Sequence, residues 1–275
     1  MKNIGKHLLG ALLAVLLILN SGCTPEPQIS TTTNIEPLPY QICDWLTTDW
    51  DGDEIVLFMT DNGKSISFQN TSGRQMEVGV ENCFISLFTI TGVASGSHTE
   101  SNGSTSSTVS YYQTTGILSP YHVGNTYLYV KDSVNETVIP VTIRPEYYTF
   151  NEPSLDFDDT QDSVALKLSS LQYTEDGGLY FITDPHTDYS LLVNYTESGT
   201  VNSYEVSLRE QVSSEELTGY IAERYFKTNA YNNGLPVYIE AYNKLSPSIS
   251  DASLVIMLDI ASRKIVYQNP LTYSK

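Results

Sequence analysis

From about Tyr40 onward, the chain alternates between short apolar stretches and turn residues, and this pattern restricts the fold more than any other feature. Ile55 to Met59 is one such stretch, and the turn Asp61-Asn62-Gly63-Lys64 leads from it into Ser65 to Gln69. Apolar runs of about four to eight residues between Gly-, Asn- and Asp-containing turns are typical of β-strands. Similar stretches continue to the C-terminus, so the sequence predicts a mainly β protein.

One segment departs from this pattern and predicts a helix. Ser213 and Glu216 have the spacing of a capping box, in which each side chain accepts a hydrogen bond from a backbone N–H at the start of the helix. Strands are predicted before the helix, such as Leu179 to Thr183, and after it, such as Lys264 to Gln268. This order indicates a small α+β domain over residues 146–275. The apolar stripe of the helix consists of Leu217, Tyr220, Ile221 and Tyr225.

The segment from Val123 to Asp132 reads Val-Gly-Asn-Thr-Tyr-Leu-Tyr-Val-Lys-Asp, and the Val-rich stretch Val138 to Ile143 follows it. Together these segments resemble the closing strands of bacterial immunoglobulin-like domains. The resemblance implies a β-sandwich over residues 40–145 that serves as a spacer or adhesion module and has no catalytic signature. We therefore expect an immunoglobulin-like β-sandwich followed by a smaller α+β domain with one clear helix.

Four further segments carry predictions about strands and loops. The Ser-, Gly- and Thr-rich stretch 94–108 predicts a long mobile loop. Val164 to Leu171 predicts a strand, and Leu254 to Leu258, which is apolar on both faces, predicts a central strand. Pro140 has no N–H to donate to a sheet, so the strand that contains it is expected at an edge.

The N-terminus predicts a signal peptide over residues 1–22. Two lysines make it basic, and the apolar run from Leu8 to Leu19 has 12 residues, fewer than the roughly 20 that cross a membrane. Asn20-Ser21-Gly22-Cys23 follows and resembles the lipobox of bacterial lipoproteins, in a relaxed form similar to that of the Bacteroidota. The resemblance implies cleavage before Cys23 and attachment of acyl chains, such as palmitate, to that residue.

A lipid on Cys23 would anchor the protein to a membrane, because two or three acyl chains bind a bilayer stably. Thr24 follows the cysteine, and by the same resemblance it favours the bacterial outer membrane, on either the periplasmic or the surface side. Residues 23–39 are polar and contain several prolines. They predict a flexible tether between the anchor and the first domain.

The chain is strongly acidic, with 32 Asp and Glu residues against 14 Lys and Arg residues and a net charge of -18. Such a surface repels nucleic acid, because each approach brings like charges together. Nucleic-acid binding is therefore excluded. The expected partners are the membrane, through the anchor, and a glycan or an envelope protein.

Cys43 and Cys83 remain once Cys23 is assigned to the anchor. Export to an oxidising compartment permits a disulfide between them. The alternative is that both are thiols that behave as small apolar side chains.

The search for catalytic chemistry finds no known motif, so no catalytic residues are predicted. Three histidines follow the signal peptide, His98, His122 and His186, and they stand apart from one another along the sequence. An enzyme would have to assemble its site from dispersed residues, which makes a hydrolase only the second alternative.

Asp49, Asp51 and Asp53 place three carboxylates at alternate positions of one loop. Hard cations such as Ca²⁺ prefer several oxygen ligands from one loop. The EF-hand pattern is not met, because Glu54 and Thr60 stand where that motif requires Gly and Glu. Either this loop binds Ca²⁺ or it is an acidic turn on an acidic protein, and no other cofactor is predicted.

Tyrosine is unusually frequent, with 20 residues in the chain. Tyr111, Tyr112 and Tyr121 lie in the first domain, and exposed aromatic rings of this kind stack on sugars while their hydroxyls form hydrogen bonds. These three residues are therefore candidate glycan contacts. The alternative is that the tyrosines only cover the sheet.

Two short segments match a motif for O-glycosylation reported for exported Bacteroidota proteins. They are Asp132-Ser133-Val134 and Asp162-Ser163-Val164. Ser133 and Ser163 are therefore candidate modification sites.

Together these features favour an envelope-anchored lipoprotein that acts as a non-enzymatic binding or adhesion module, with a glycan as its ligand. The first alternative is a structural or accessory subunit of an envelope protein complex. A glycan site predicts an exposed row of tyrosines, and a complex subunit predicts a contiguous apolar patch. An enzyme predicts a cleft where carboxylates or a histidine converge.

Overall fold

The computed structural model describes residues 29–31, 35–102, 105–209 and 211–273. They form two units, which meet near residue 145. The signal peptide and Cys23 lie outside the described residues, so the lipid anchor stays a prediction. Among the described residues, no helix combines the length and the apolar character that crossing a bilayer requires.

The first unit is a sandwich of two β-sheets, and the predicted fold class is confirmed. Its strands are β1 (Ile29–Thr31), β2 (Tyr40–Cys43), β3 (Leu46–Thr48), β4 (Ile55–Phe58), β5 (Lys64–Asn70), β6 (Glu77–Val80), β7 (Ser86–Asn102), β8 (Thr105–Pro120), β9 (Gly124–Lys131) and β10 (Glu136–Arg144). One sheet has the order β1-β7-β8-β5-β3-β2 and the other the order β4-β10-β9-β6. Neighbouring strands are antiparallel except in the pairs β1–β7 and β4–β10.

Alternation along the strands places one face of each sheet in the core. In β10, Ile139, Val141 and Ile143 are buried, while Val138 and Pro140 face the solvent, as the sequence predicts. Apolar side chains of both sheets join in one buried cluster. Its members include Leu46, Ile55, Ile66, Phe68, Leu118, Leu128 and Val130.

The described residues of the stretch 94–108 lie in strands β7 and β8, so the prediction of a long loop is wrong. They belong to a long hairpin in which β7 and β8 pair from Ser86 with Pro120 to Asn102 with Thr105. Serine and threonine cannot build a core, but a ladder of backbone hydrogen bonds does not require one at every residue. The composition therefore indicated the absence of a core at this place and not the absence of strands.

The strand that contains Pro140 is internal, between β9 and β4, so the predicted edge position is wrong for β10 as a whole. The pairing with β4, however, begins only at Val141. The residues from Glu136 to Pro140 therefore have a strand partner on one side only. This arrangement explains why a proline is tolerated inside the sheet.

The predicted tether over residues 23–39 is partly folded onto the first unit, contrary to expectation. β1 adds to the edge of β7, and Ile35 is buried. The side-chain amide of Gln69 donates to the carbonyl of Glu36 and accepts from the N–H of Leu38. These contacts fix the chain immediately before β2.

The disulfide between Cys43 and Cys83 is not formed, because Cys43 is a free thiol. Its sulfur lies 3.4 Å from the hydroxyl of Thr137 in β10. Cys83 is buried beyond the end of β6, where its N–H donates to Asn243 of the second unit. The two cysteines therefore have different surroundings, and of the two alternatives the bridge is not the one that forms.

The described residues of the second unit form one eight-stranded antiparallel sheet, two α-helices and a short 3₁₀ helix (Ile249–Asp251). Its strands are β11 (Gln172–Asp176), β12 (Leu179–Thr183), β13 (Tyr189–Tyr195), β14 (Val201–Leu208), β15 (Phe226–Asn232), β16 (Leu235–Glu240), β17 (Leu254–Asp259) and β18 (Lys264–Gln268), and its α-helices are α1 (Gln161–Leu168) and α2 (Ser214–Arg224). The sheet has the order β11-β12-β13-β14-β18-β17-β16-β15. Buried residues of both helices pack on one face of it and form the second large core.

The start of α2 confirms the predicted capping box. Ser213 accepts from the N–H of Glu216, and the carboxylate of Glu216 accepts from the N–H of Ser213. The helix ends at Arg224, earlier than its apolar stripe suggests, and β15 follows at once.

The predicted strand from Val164 to Leu171 is wrong, because α1 occupies most of this segment. Val164 and Leu168 are buried and lie four residues apart, which is helical spacing, while Leu166 between them is 75% exposed. The described residues therefore contain two α-helices and not the single one expected.

The central position of β17 is confirmed. It lies between β18 and β16. Ile256 and Leu258 face the helices and belong to the large core, while Val255 on the other face packs in a small cluster with Val237 and Ile239. Both faces are covered, as its apolar sequence requires.

A polar junction connects the two units. Asn82 accepts from the N–H of Asn243 at 2.8 Å, and the side chain of Asn243 accepts from the N–H of Cys83 at 3.3 Å. The N–H of Val123 donates to the carbonyl of Glu223 at 2.7 Å. The carboxylate of Glu223 also accepts two N–H groups of the segment that links the units. These hydrogen bonds hold the second unit against one end of the sandwich.

Candidate functional site

A cleft opens on the first unit where β2 of one sheet faces β10 of the other. It exists because β4 leaves the first half of β10 uncovered. Its volume is about 660 Å³, which lies in the range of roughly 300–1,000 Å³ that is usual for ligand sites. We call it the sandwich cleft; its buried floor is Ile55, Phe68 and Ile139, and its rim includes Tyr40, Trp50, Asp51, Asp53 and Val138.

Two aromatic residues border the sandwich cleft, and only one of them has a ring that a ligand can reach. The ammonium of Lys64 lies 3.3 Å from the ring centroid of Trp50 and covers the indole through a cation–π contact. The loop passes close to the same ring at Gly52, whose positive φ of 148° favours glycine. The indole N–H has no hydrogen-bond partner among the described residues. Trp50 is therefore a fixed wall, while Tyr40, 41% exposed, is the ring available to a ligand.

The three aspartates of the predicted calcium loop are separated by the fold. Asp51 and Asp53 are exposed on the rim of the cleft, whereas Asp49 accepts a hydrogen bond from the N–H of Ser67 at 2.8 Å. Across the described ranges, no group of three or more His, Cys, Asp or Glu side chains is placed to hold a metal ion. Calcium binding at this loop therefore stays a prediction that the geometry does not support.

The tyrosines singled out from the sequence do not form an exposed row. Tyr111 and Tyr112 are each only 5% exposed, because β8 is an internal strand between β7 and β5. Tyr121 is 43% exposed, but it follows the end of β8 and does not line the sandwich cleft. The predicted exposed contact is therefore wrong for Tyr111 and Tyr112, while glycan contact at Tyr121 stays a prediction.

Sequence reasoning missed Tyr40, and it weighed the neighbouring loop only as a metal site. Tyr40 and Asp51 become neighbours because β2 and the β3–β4 loop border the same cleft. The signal that was available is the combination Trp50-Asp51-Gly52-Asp53. An aromatic ring, a flexible glycine and two carboxylates in one loop are typical of a polar ligand site as much as of a metal site.

An apolar strip continues from the sandwich cleft onto the outer face of the four-stranded sheet. Val138 belongs to both and is 56% exposed. Pro140 follows on the same face, and Tyr127, 48% exposed, lies directly opposite it on β9. Tyr129 lies opposite Val138 and extends over Gly79, where a Cβ would collide with its hydroxyl. We call Val138, Pro140, Tyr127 and Tyr129 the outer strip.

The histidines occupy three separate places. His122 is buried and stacks on Phe84 with 4.0 Å between ring centroids, and its Nδ1 lies 2.6 Å from the carbonyl of Phe84. Burial lowers the pKa of His122, and the hydrogen bond to this carbonyl opposes the shift only in part. His186 lies near Tyr148, and His98 lies on β7 of the long hairpin. The fold does not assemble them into one site.

The second unit contains an enclosed carboxyl group. Glu152 accepts from the hydroxyl of Tyr225 at 2.8 Å and from that of Tyr267. Burial raises the pKa of Glu152, and these hydrogen bonds and the charge of Arg224 lower it only in part. The recess beside it measures about 260 Å³, below the usual range for ligand sites. We therefore interpret this group as part of the core.

A second large recess lies on the sheet of the second unit. Its volume is about 700 Å³, and Phe181 is its exposed aromatic ring. Its charged residues, Asp188 and Arg209, form an ion pair at 2.7 Å and so satisfy each other. In the described part of the chain, no ion pair involves Asp51 or Asp53 of the sandwich cleft. The sandwich cleft is thus better equipped to bind a polar ligand.

The two candidate glycosylation sites have different settings. Ser133 is exposed in the turn between β9 and β10, where Asp132 accepts from the N–H groups of Val134 and Asn135. Ser163 lies in the first turn of α1, and its N–H donates to the hydroxyl of Thr160. Glycosylation at both serines stays a prediction.

Comparisons with known proteins give little further information. No protein-family model matches the chain, and no curated protein matches it. Among solved structures, it is similar to domains 1–6 of the surface layer protein SbsC, with 11% identity, a TM-score of 0.25, and coverage of 80% of this chain and 23% of that chain. Domains 5–6 of SbsC give 12% identity and a TM-score of 0.22, with 82% of each chain covered. Scores this low do not indicate a common fold, and the matched region spans less than a quarter of the first of these structures.

Proposed function

We propose that this protein is a lipoprotein, anchored through Cys23 to the bacterial outer membrane, that binds a glycan in the sandwich cleft without catalysing a reaction. The lipobox resemblance supports the anchor. One observation carries the proposal for the ligand: an apolar floor, an exposed tyrosine and two carboxylates without ion-pair partners surround the same cavity.

The chemistry of a sugar ring matches this arrangement. A sugar ring presents C–H groups on its faces and hydroxyl groups around its edge. The ring of Tyr40 offers a surface for the C–H face, while Asp51 and Asp53 accept hydrogen bonds from hydroxyl groups. The backbone of β10 from Thr137 to Ile139 lines the cleft and offers further donors and acceptors.

Charge restricts the class of sugar. The protein has a net charge of -18, and the rim of the cleft adds two carboxylates. Lys64 is a cation beside the cleft, but it is already engaged with the ring of Trp50. Acidic sugars are therefore repelled, and neutral or amino sugars are the favoured ligands.

Exposure of the carboxylates favours binding over hydrolysis. A glycoside hydrolase needs a carboxylic acid that keeps its proton, and desolvation in an apolar pocket provides this in known enzymes. Asp51 and Asp53 are both exposed. We expect that oligosaccharides incubated with the protein remain intact, and the release of shorter products would instead favour the hydrolase alternative.

A second candidate function is that of an accessory subunit in an envelope complex. On the outer face of the eight-stranded sheet of the second unit, Phe181 is 48% and Leu192 is 38% exposed. Leu179 lies directly opposite Leu192 on the neighbouring strand. Such a contiguous apolar patch suits a protein partner. Its location in the second unit separates this function from the glycan site in the first.

The glycan proposal is tested on the chain from residue 24 onward, which keeps every described residue. A panel of neutral, amino and acidic glycans is screened with calcium and with chelator. We expect saturable binding of neutral or amino glycans that Tyr40→Ala weakens about tenfold, equivalent to about 1.4 kcal/mol. Tyr231→Ala, an exposed tyrosine of the second unit, is the matched control and should bind normally. A panel without any binding would refute the proposal, and loss with chelator would assign Ca²⁺ to the Asp51–Asp53 loop.

The anchor is tested separately in cells. We expect the intact protein in the membrane fraction and the Cys23→Ser variant in the soluble fraction, because acyl chains on Cys23 provide the attachment. Membrane attachment that survives the substitution would contradict the lipoprotein assignment.

A further inference from the structure

The outer strip begins at the sandwich cleft and leaves it in one direction. Val138 is part of the lining of the cleft. Its side chain is exposed on the outer face of the four-stranded sheet. Pro140 and Tyr127 are direct cross-strand partners next to it. A ligand that fills the cleft and extends over the uncovered edge of β10 therefore meets this strip first.

Polar side chains close the strip at both ends. Lys131 forms an ion pair with Glu77 at 3.1 Å, and its ammonium lies 5.1 Å from the ring centroid of Tyr129, whose hydroxyl donates to Glu77 at 3.3 Å. At the other end, the hydroxyl of Thr142 donates to Asn125 at 2.9 Å. Two residues along a strand advance about 7 Å, and neighbouring strands lie about 4.8 Å apart. The strip thus offers an apolar surface about 7 Å long, room for one or two sugar rings.

The shape of the strip suits a sugar chain better than a protein. Proline and tyrosine rings present flat C–H and aromatic surfaces, which match the faces of sugar rings. The strip is narrow and its borders are polar, whereas protein interfaces need about 800 Å² from each partner. Its continuity with the sandwich cleft also places it where the next units of a bound glycan would lie.

We infer that the ligand of the sandwich cleft is an extended oligosaccharide of at least two sugar units, one held in the cleft and the following one or two lying on the outer strip. This inference rests on the proposed function and specifies its ligand class. The site binds an internal stretch or a long end of a polysaccharide, because a single terminal sugar contacts only the cleft.

The test uses the chain from residue 24 onward and two ladders of β-1,4-linked oligomers, of N-acetylglucosamine and of glucose, from one to six units. Affinity is measured by calorimetry. We expect at least one ladder to bind, with affinity that rises about tenfold from the monomer to the trimer and then levels off. Tyr127→Ala should lower trimer affinity about tenfold and leave monomer affinity within about twofold, whereas Tyr127→Phe keeps the ring and should restore trimer binding.

Tyr231→Ala is the matched control, because Tyr231 also lies opposite a proline, Pro236, on a hairpin of the second unit. It should bind every length normally. Equal affinity for monomer and trimer, or an equal loss for both in Tyr127→Ala, would overturn the inference while leaving the proposed function intact. No binding by either ladder would overturn the inference, and it would contradict the proposed function as well if no glycan of the panel binds.

Discussion

Asp132 of the first unit and Glu152 of the second unit both have enclosed carboxyl groups, but their pKa values are shifted in opposite directions. In the first unit, burial acts to raise the pKa of Asp132, but backbone N–H groups of its turn and the guanidinium of Arg74 lower it far more. In the second unit, burial raises the pKa of Glu152, and neutral tyrosine hydroxyls compensate only in part. Several N–H groups and a hydrogen-bonded guanidinium stabilise the carboxylate of Asp132, whereas phenol hydroxyls and the charge of Arg224 do not outweigh burial at Glu152.

The tyrosines of the two units also differ in their surroundings. Those of the second unit mostly build its core, and they include Tyr180, Tyr189, Tyr204, Tyr220, Tyr225, Tyr238 and Tyr267. In the first unit, Tyr40 and Tyr127 are about half exposed and border the sandwich cleft or its continuation. The number of tyrosines therefore does not indicate ligand binding. Their position in the fold indicates which of them a ligand can reach.

The largest effect is expected from a tyrosine of the second core. Tyr267 is 1% exposed, stacks on Tyr204 and donates to Glu152. Tyr267→Ala should lower the free energy of unfolding by about 3–5 kcal/mol, as for other large aromatic truncations. Tyr127→Ala should change it by less than about 0.5 kcal/mol, because surface substitutions rarely matter. Urea unfolding measures both, and similar losses in the two variants would remove the distinction between the units.

The next effect concerns Asp132, whose side chain is fully buried beside Arg74. Asp132→Asn should destabilise the protein by about 2–3 kcal/mol, since charge-assisted hydrogen bonds are lost. Because the folded pKa is lowered, the contribution of Asp132 is present above its usual pKa of 3.8 and is lost as the pH falls below that value. Melting temperatures between pH 2 and pH 6 should fall toward acid in the parent protein and less steeply in the variant. Parallel curves would contradict the assignment.

Glu152 should show the opposite pH response, with a smaller effect. Its pKa is raised above the usual value of 4.5, so its contribution is complete below that pH and is lost as the pH rises through the folded pKa. Arg224 lies nearby and favours the charged form, while Glu240 disfavours it. Glu152→Gln should remove about 1 kcal/mol of this pH dependence, measured by melting temperature between pH 4 and pH 8. Exposed Glu197→Gln is the control, and an unchanged slope in the Glu152 variant would refute the prediction.

The smallest effect on stability is expected at the cleft. Tyr40→Ala should change the free energy of unfolding by less than about 0.5 kcal/mol while lowering glycan affinity about tenfold. The combination matters, because it separates a binding residue from a core residue. If the variant unfolds as easily as Tyr267→Ala, Tyr40 belongs to the packing of the first unit and the comparison fails.

The sequence predicts much of the architecture because local patterns determine it. β12, β13 and β18 have clear alternation between turn residues, and α2 has a capping box, so their positions follow from a few neighbouring residues. The hairpin at residues 94–108 was missed because its stability comes from the backbone ladder and not from apolar side chains. The sandwich cleft was missed because its rim joins β2 to the β3–β4 loop and to β10 only through the packing of two sheets.

Binding of a glycan in the cleft of the first unit can be followed by tryptophan fluorescence. The chain has two tryptophans, Trp45 and Trp50, and both lie in the first unit. A Trp45→Phe variant leaves Trp50, which lines the cleft, as the single reporter. We predict that a ligand from the glycan panel shifts Trp50 emission saturably, with the same dissociation constant that calorimetry gives. Calorimetric binding without any change in Trp50 emission would place the site elsewhere and contradict the account.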